Sequence, residues 1–191
     1  IMSSDWSSDV CSSDLVRRRA RTVLAAAESH ILDCGGGVRL QGWFSGHGGN
    51  HRDVTVLFHG WEGSADSLYL ISAADAFFRR GFDVFRLNFR DHGPTHHLNP
   101  GLFHACRIDE VVGALAVIQE RFPRPRIFLA GFSLGGNFAL RAAVRSAAAG
   151  IRLRAAAAAC WAYGRPRPPA PSSCDPSGDP PWIVSSTATS R

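Results

Sequence analysis

The strongest constraint on this chain is one sharp turn, Gly131-Phe132-Ser133-Leu134-Gly135, set between a short apolar run and a helical pattern. Arg126 to Ala130 (RIFLA) reads as a short buried strand, and residues 134–148 read as a helix with Asn137, Arg141 and Arg145 four apart on its wet face. A strand that reverses this quickly into a helix brings its own backbone very close. A Cβ two positions to either side of the apex would collide with it, and both positions are glycine. The apex residue is expected in a sparsely populated backbone conformation. Its hydroxyl then stands above the sheet edge, at the positive end of the following helix. Gly136 extends the small-residue run and lets that helix approach the sheet. Serine also caps helices, which gives Ser133 a second reading. The strand before it and the glycines around it favour a nucleophile.

The surrounding chain alternates strand and helix signals from about Glu28 to Trp161. Residues 28–34 and 38–45 read as two strands around Gly35-Gly36-Gly37. Asp53 to Phe58 (DVTVLF) is nearly continuous in apolar side chains, as in a strand covered on both faces. Residues 64–80 read as a helix with Leu68, Ile71, Ala74 and Phe78 on one face, Ser64 as N-cap and Gly81 as the stop. Residues 83–89 form the next strand. Ala105 to Phe122 is the clearest helix, with Ile108, Val111, Val112, Leu115, Ile118 and Phe122 at helical spacing before Pro123. Residues 153–161 read as a further, alanine-rich strand. This order after an initial hairpin implies an α/β fold, a mostly parallel sheet with helices on both faces.

Composition narrows the function classes. The net charge is +5, yet every basic residue is arginine and there is no lysine. Together with the many alanines and glycines, that pattern fits a GC-rich coding sequence, and it argues weakly for nucleic-acid contact. The one dense basic run, Arg17 to Arg19 with Arg21, reads as a solvated helix start. Without a P-loop lysine or a dinucleotide fingerprint, nucleotide chemistry is disfavoured. Cys11, Cys34, Cys106, Cys160 and Cys174 are odd in number and scattered, which argues for a reducing, cytoplasmic compartment. No apolar run approaches the roughly 20 residues that span a bilayer, so stable membrane insertion is not expected.

The two ends differ from the middle. Residues 1–15 repeat Ser-Ser-Asp three times, and this polar, low-complexity stretch reads as disordered or as an artefactual leader. The organised domain is expected over residues 16–163. Residues 164–191 carry Pro166, Pro168, Pro169, Pro171, Pro176, Pro180 and Pro181 and read as a disordered linker or a frameshifted tail.

A second motif, His59-Gly60-Trp61-Glu62-Gly63-Ser64, follows the strand DVTVLF and precedes a helix. An ordinary turn can also use two glycines. Together, however, HGWEGS, then LNFRDHG (residues 87–93), then GFSLGGN (residues 131–137) resemble the bacterial YheT-type hydrolases, relatives of short-chain carboxylesterases and acylglycerol lipases. The resemblance spans roughly Val16 to Cys160. It implies an α/β-hydrolase fold, truncated here after about the sixth strand, and cleavage of a small ester or lipid without a cofactor. It implies Ser133 as the acyl-accepting nucleophile, Gly131 and Gly135 as the elbow glycines, and the N–H groups of Trp61 and Leu134 as the oxyanion hole.

The chain departs from that pattern in one respect. The triad of this fold runs Ser, then Asp or Glu, then His along the chain. No histidine follows Ser133, and the only later acids are Asp175 and Asp179. Serine is a poor nucleophile without an adjacent base, so the chain as given is expected to be nearly inactive. The alternatives are a non-catalytic binding module of the same fold, or a non-functional gene fragment. His92, His96, His97 and His104 lie after the fourth strand, in an irregular loop near the expected site mouth. With Asp91 they suggest a metal site only weakly, since no ligand spacing supports it. His92 and His59 are read as site-rim residues, His92 as the first base to test and His59 as a structural hydrogen bonder.

Overall fold

The computed structural model describes residues 6–49, 52–123 and 126–159, with side chains from Ser13 onward. The proline-rich tail lies outside the described residues. At the centre of the sheet runs β3 (Val54–Phe58), parallel to β4 (Asp83–Leu87) on one side and to β5 (Ile127–Phe132) on the other. Every residue of β3 and β4 is buried, which explains the near-continuous apolar character of β3, while β4 buries Asp83 and Arg86 as well. The full order is β1-β2-β4-β3-β5-β6. β1 (Ala27–Asp33) and β2 (Arg39–Ser45) form an antiparallel hairpin, and β2 pairs antiparallel with β4. β6 (Leu153–Ala159) runs parallel to β5. The sheet is therefore mixed and mostly parallel, as expected.

The two ends of helix α3 (Leu68–Arg79) show which boundaries follow from local chemistry and which do not. The helix stops where predicted. Gly81 takes φ +85°, its N–H bonds Phe78 O, and Phe82 N–H bonds Phe77 O, a Schellman end that only glycine enters without strain. Its start differs. Ser64 is not the N-cap, because residues 64–67 form a separate turn in which Ser67 Oγ accepts the Ser64 N–H at 2.9 Å. Helix α3 begins one turn later than expected and buries Leu70 in place of Leu68, beside Ile71, Ala74 and Phe78.

Helices α1 (Trp6–Arg19) and α2 (Arg21–Ala25) precede the sheet. Residues 6–15, expected to be disordered, thus belong to a helix. Its last turn carries Arg17, Arg18 and Arg19, which complement the negative end of the helix dipole. Val16 packs with α2 on the α3 side of the sheet. Tertiary burial at its end supplies what composition alone does not.

Two layers of core result. Leu57 and Val84 point from the sheet toward α3, with Leu70, Ile71, Ala74 and Phe78. Val54, Val56, Phe58, Phe85 and Leu87 point the other way, toward α4 (Ile108–Arg121) and α5 (Leu134–Ser146). The C-terminal ends of β3, β4 and β5 meet at one edge, which is where open α/β sheets present their sites.

Candidate active site

Ser133 sits at the junction of β5 and α5 with φ +51° and ψ −115°, a region that L residues rarely occupy. Surrounding bonds over-determine that conformation. The Ser133 N–H donates to Ala159 O of β6 at 2.8 Å, and its carbonyl accepts the Asn137 N–H at 3.1 Å. The side chain is exposed and makes no capping bond to α5, so the helix-cap reading fails.

The flanking glycines are required by contact. A Cβ on Gly131 would lie 2.2 Å from Gly135 O, and one on Gly135 would lie 2.3 Å from His59 O. One on Gly136 would meet Ala158 Cβ of β6 at 2.9 Å, so that glycine does bring α5 close to the sheet. These distances also press the turn against the end of β3, where the second motif begins.

That motif is held peptide by peptide. The Gly60 carbonyl accepts His59 Nδ1–H at 2.8 Å and the Gly63 N–H at 3.1 Å. In a trans peptide the next N–H points opposite to the carbonyl. The Trp61 N–H is therefore turned away from the buried His59 ring. The Gly60 N–H donates to Tyr69 Oη at 2.9 Å. A Cβ on Gly60 would lie 3.6 Å from Ser133 Cβ, so loop and elbow are neighbours.

His59 itself is fully buried and does not line the rim. Its Nε2 accepts the Phe89 N–H at 3.1 Å, so both ring nitrogens are used inside the fold. Burial pushes its pKa down to about 4, and the ring is neutral. It is a structural hydrogen bonder, as one of the two readings held.

The loop after β4 closes over this region. Phe103 packs against Phe138 of α5 at 5.8 Å and edge-on to Trp61 at 6.1 Å. Arg141 Nη1 donates to Ala105 O at 2.6 Å. His92 is half-buried, with Nδ1 bonded to Arg90 O at 2.8 Å and its ring 4.8 Å from both His59 and Phe103. No described histidine bonds the Ser133 hydroxyl. His96 pairs with Asp91 at the exposed side of the loop. Among the described residues, no group of three or more His, Cys, Asp or Glu side chains is placed to hold a metal, and no helix is long and apolar enough to cross a membrane.

Residues 54–172 match the family model of the alpha/beta hydrolase fold, well over half of the chain. The chain belongs to the α/β-hydrolase fold family. Over 87 residues this α/β-hydrolase is 29% identical to "Putative esterase YheT" of Escherichia coli strain K12, covering 46% of this chain and 26% of that protein. An esterase from Pyrobaculum calidifontis superposes with TM-score 0.58 at 18% identity, over 76% of this chain and 48% of its own. A lidless serine hydrolase from Xanthomonas campestris gives 0.53 at 23%, over 65% and 57%. An esterase from Pyrococcus furiosus gives 0.56 at 19%, over 65% and 48%. The chain thus spans about half the length of these solved structures and a quarter of the curated relative.

Three polar residues of this α/β-hydrolase escaped the sequence reading. Arg86 and Asn88, on or just after β4, are almost fully buried. Asn88 Oδ1 accepts the Ala65 N–H at 2.6 Å, and Arg86 Nη1 donates to Ala65 O at 2.5 Å and to Asp66 at 3.2 Å. Together they grip one residue of the loop that leads from Trp61 into α3. Arg90 makes a bidentate pair with Glu110 of α4 and donates to Pro100 O at 2.6 Å, which ties down the His92 loop. The only advance signal was an arginine or asparagine at alternate positions in an otherwise apolar strand.

Proposed function

We propose that Ser133 is the nucleophile of a carboxylic ester hydrolase, with the N–H groups of Trp61 and Leu134 as oxyanion donors. The observation that carries this reading is the backbone of Ser133 at φ +51°, ψ −115°, with its side chain exposed and uncapping, beside a loop whose Gly60–Trp61 peptide is pinned. In this reading Ser133 Oγ attacks the ester carbonyl carbon and the carbonyl oxygen becomes an oxyanion. The bond to the alcohol then breaks, leaving an acyl-serine that water hydrolyses.

A base must take the Ser133 proton and return it to the departing alcohol. Residues 134–191 contain no histidine, both ring nitrogens of His59 are used inside the fold, and no described histidine bonds the Ser133 hydroxyl. This chain alone is therefore expected to acylate slowly and turn over poorly. Small esters or lipids are the substrate class, and the free thiols of Cys34 and Cys106 fit a reducing compartment.

The test is labelling with a fluorophosphonate. Slow, one-to-one modification at Ser133, abolished in Ser133→Ala, supports the nucleophile. Absence of labelling in a chain that unfolds cooperatively favours the second reading, a binding module of the same fold, for which the lack of a histidine bonded to Ser133 among the described residues speaks.

A further inference from the structure

Tyr69 was not part of either motif, yet its phenol stands between them. It lies in the first turn of α3, and its ring packs 5.1 Å from that of Phe132, the residue before Ser133. Its oxygen accepts the Gly60 N–H at 2.9 Å. A Cβ on Gly63 would come within 2.5 Å of the same oxygen, so glycine there is what admits the phenol. The position a Gly60 Cβ would take is 3.6 Å from Tyr69 Oη and 3.6 Å from Ser133 Cβ. The hydroxyl and the serine Cβ therefore both border the point where a Gly60 side chain would begin, as does the Phe132 carbonyl oxygen at 3.3 Å.

A phenol that accepts one hydrogen bond still has its own proton to donate. Among the described residues no group accepts that proton from Tyr69, although the oxygen is fixed in place by Gly60, Gly63 and Phe132. We propose that the Tyr69 hydroxyl is a third donor to the substrate oxyanion formed when Ser133 attacks, alongside the two backbone amides. This rests on the reading of Ser133 as nucleophile. The Gly60 N–H, by bonding the phenol oxygen, polarises the O–H toward the developing charge. A side-chain donor would act where the negative oxygen forms and cost no reorganisation at that moment.

Diisopropyl fluorophosphate tests it on the intact chain. The Ser133 Oγ–P bond forms, the P–F bond breaks, fluoride leaves and the serine proton passes to buffer. The phosphoryl oxygen takes the place of the oxyanion. Tyr69→Phe is expected to be labelled at Ser133 roughly tenfold to a hundredfold more slowly than the wild type, the effect of losing one charge-assisted donor. A purely structural phenol would not produce the second readout: a downfield hydroxyl proton resonance that appears in the wild-type adduct and is missing from the Tyr69→Phe adduct. Equal labelling rates, or no such resonance, overturn the role of Tyr69 and leave the nucleophile standing. No labelling of the wild type overturns both. Should Tyr69→Phe fail to fold, the resonance in the wild-type adduct decides, assigned to Tyr69 or not by its nuclear Overhauser contacts to the Tyr69 ring protons.

Discussion

His59 and Gly60 are joined by a 2.8 Å bond from ring nitrogen to carbonyl, and with the Gly63 N–H on the same oxygen it sets the direction of the Gly60–Trp61 peptide. It requires a neutral ring, because Nε2 must accept the Phe89 N–H while Nδ1 donates. The His59 pKa is lowered by burial to about 4, against 6.5 for an unperturbed ring. As pH falls, the unfolded chain takes up the proton first. The stability due to the neutral ring is complete above about pH 6.5, declines as pH falls toward 4, and levels off below it. The expected loss across that window is about 3 kcal/mol. Urea unfolding at a series of pH values should show this slope in the wild type and lack it in His59→Asn.

The elbow glycines should be far less tolerant than the hairpin glycines. Gly131→Ala and Gly135→Ala place a Cβ 2.2 and 2.3 Å from backbone oxygen, where no side chain can yield. Each should cost about 3 kcal/mol or more, or prevent folding. Gly35→Ala meets nothing within 4 Å and suffers only from its φ of +86°, so it should cost about 1 kcal/mol. Equilibrium unfolding of the three variants gives the ranking.

Arg86 and Asn88 should behave as a coupled pair. Each satisfies one backbone group of Ala65, so Arg86→Met orphans a carbonyl and Asn88→Ala orphans an N–H. Either should destabilise by about 1–3 kcal/mol. Once one grip is lost the Ala65 segment can reach water, so the double variant should cost less than the sum. A double-mutant cycle by chemical denaturation measures the coupling.

Arg90→Ala should loosen the His92 loop while sparing the sheet. Arg90 holds both Glu110 and Pro100 from a nearly buried position, and Arg107 remains beside Glu110 in the variant. Amide exchange across residues 94–104 is expected to rise, with β3 and β5 unchanged. Equal protection in wild type and variant would show that the loop is held by its aromatic contacts instead.

The sequence made the sheet and the elbow legible because their causes are local. A nearly continuous apolar run marks β3, three glycines mark the hairpin, and Gly131, Ser133 and Gly135 mark the turn. The start of α3 was not legible, since residues 64–67 are held by Arg86 and Asn88, about twenty positions away in the chain. A charged or polar residue in a strand ordinarily signals an outward face. Here it signals an inward grip on a loop, which only the tertiary structure reveals. Tyr69 was hidden for the same reason: in sequence it is one aromatic residue on an amphipathic helix. Residues 6–15 lie in a helix whose C-terminal turn packs Val16 beside α2, and no pattern within the Ser-Ser-Asp repeats foretells it.

Three separate parts of the fold fasten the HGWEGS loop and its exit: its own imidazole, a phenol from α3, and two side chains on or just after β4 that hold the next residue, Ala65. Such redundancy splits the molecule into a part that can drift and a part that cannot. Trp61 shows 64% of its surface to solvent and Leu102 74%, and neither side chain bears on those fastenings. Substitutions at these two positions are therefore expected to change the surface beside Ser133 while leaving the backbone of the loop as it is.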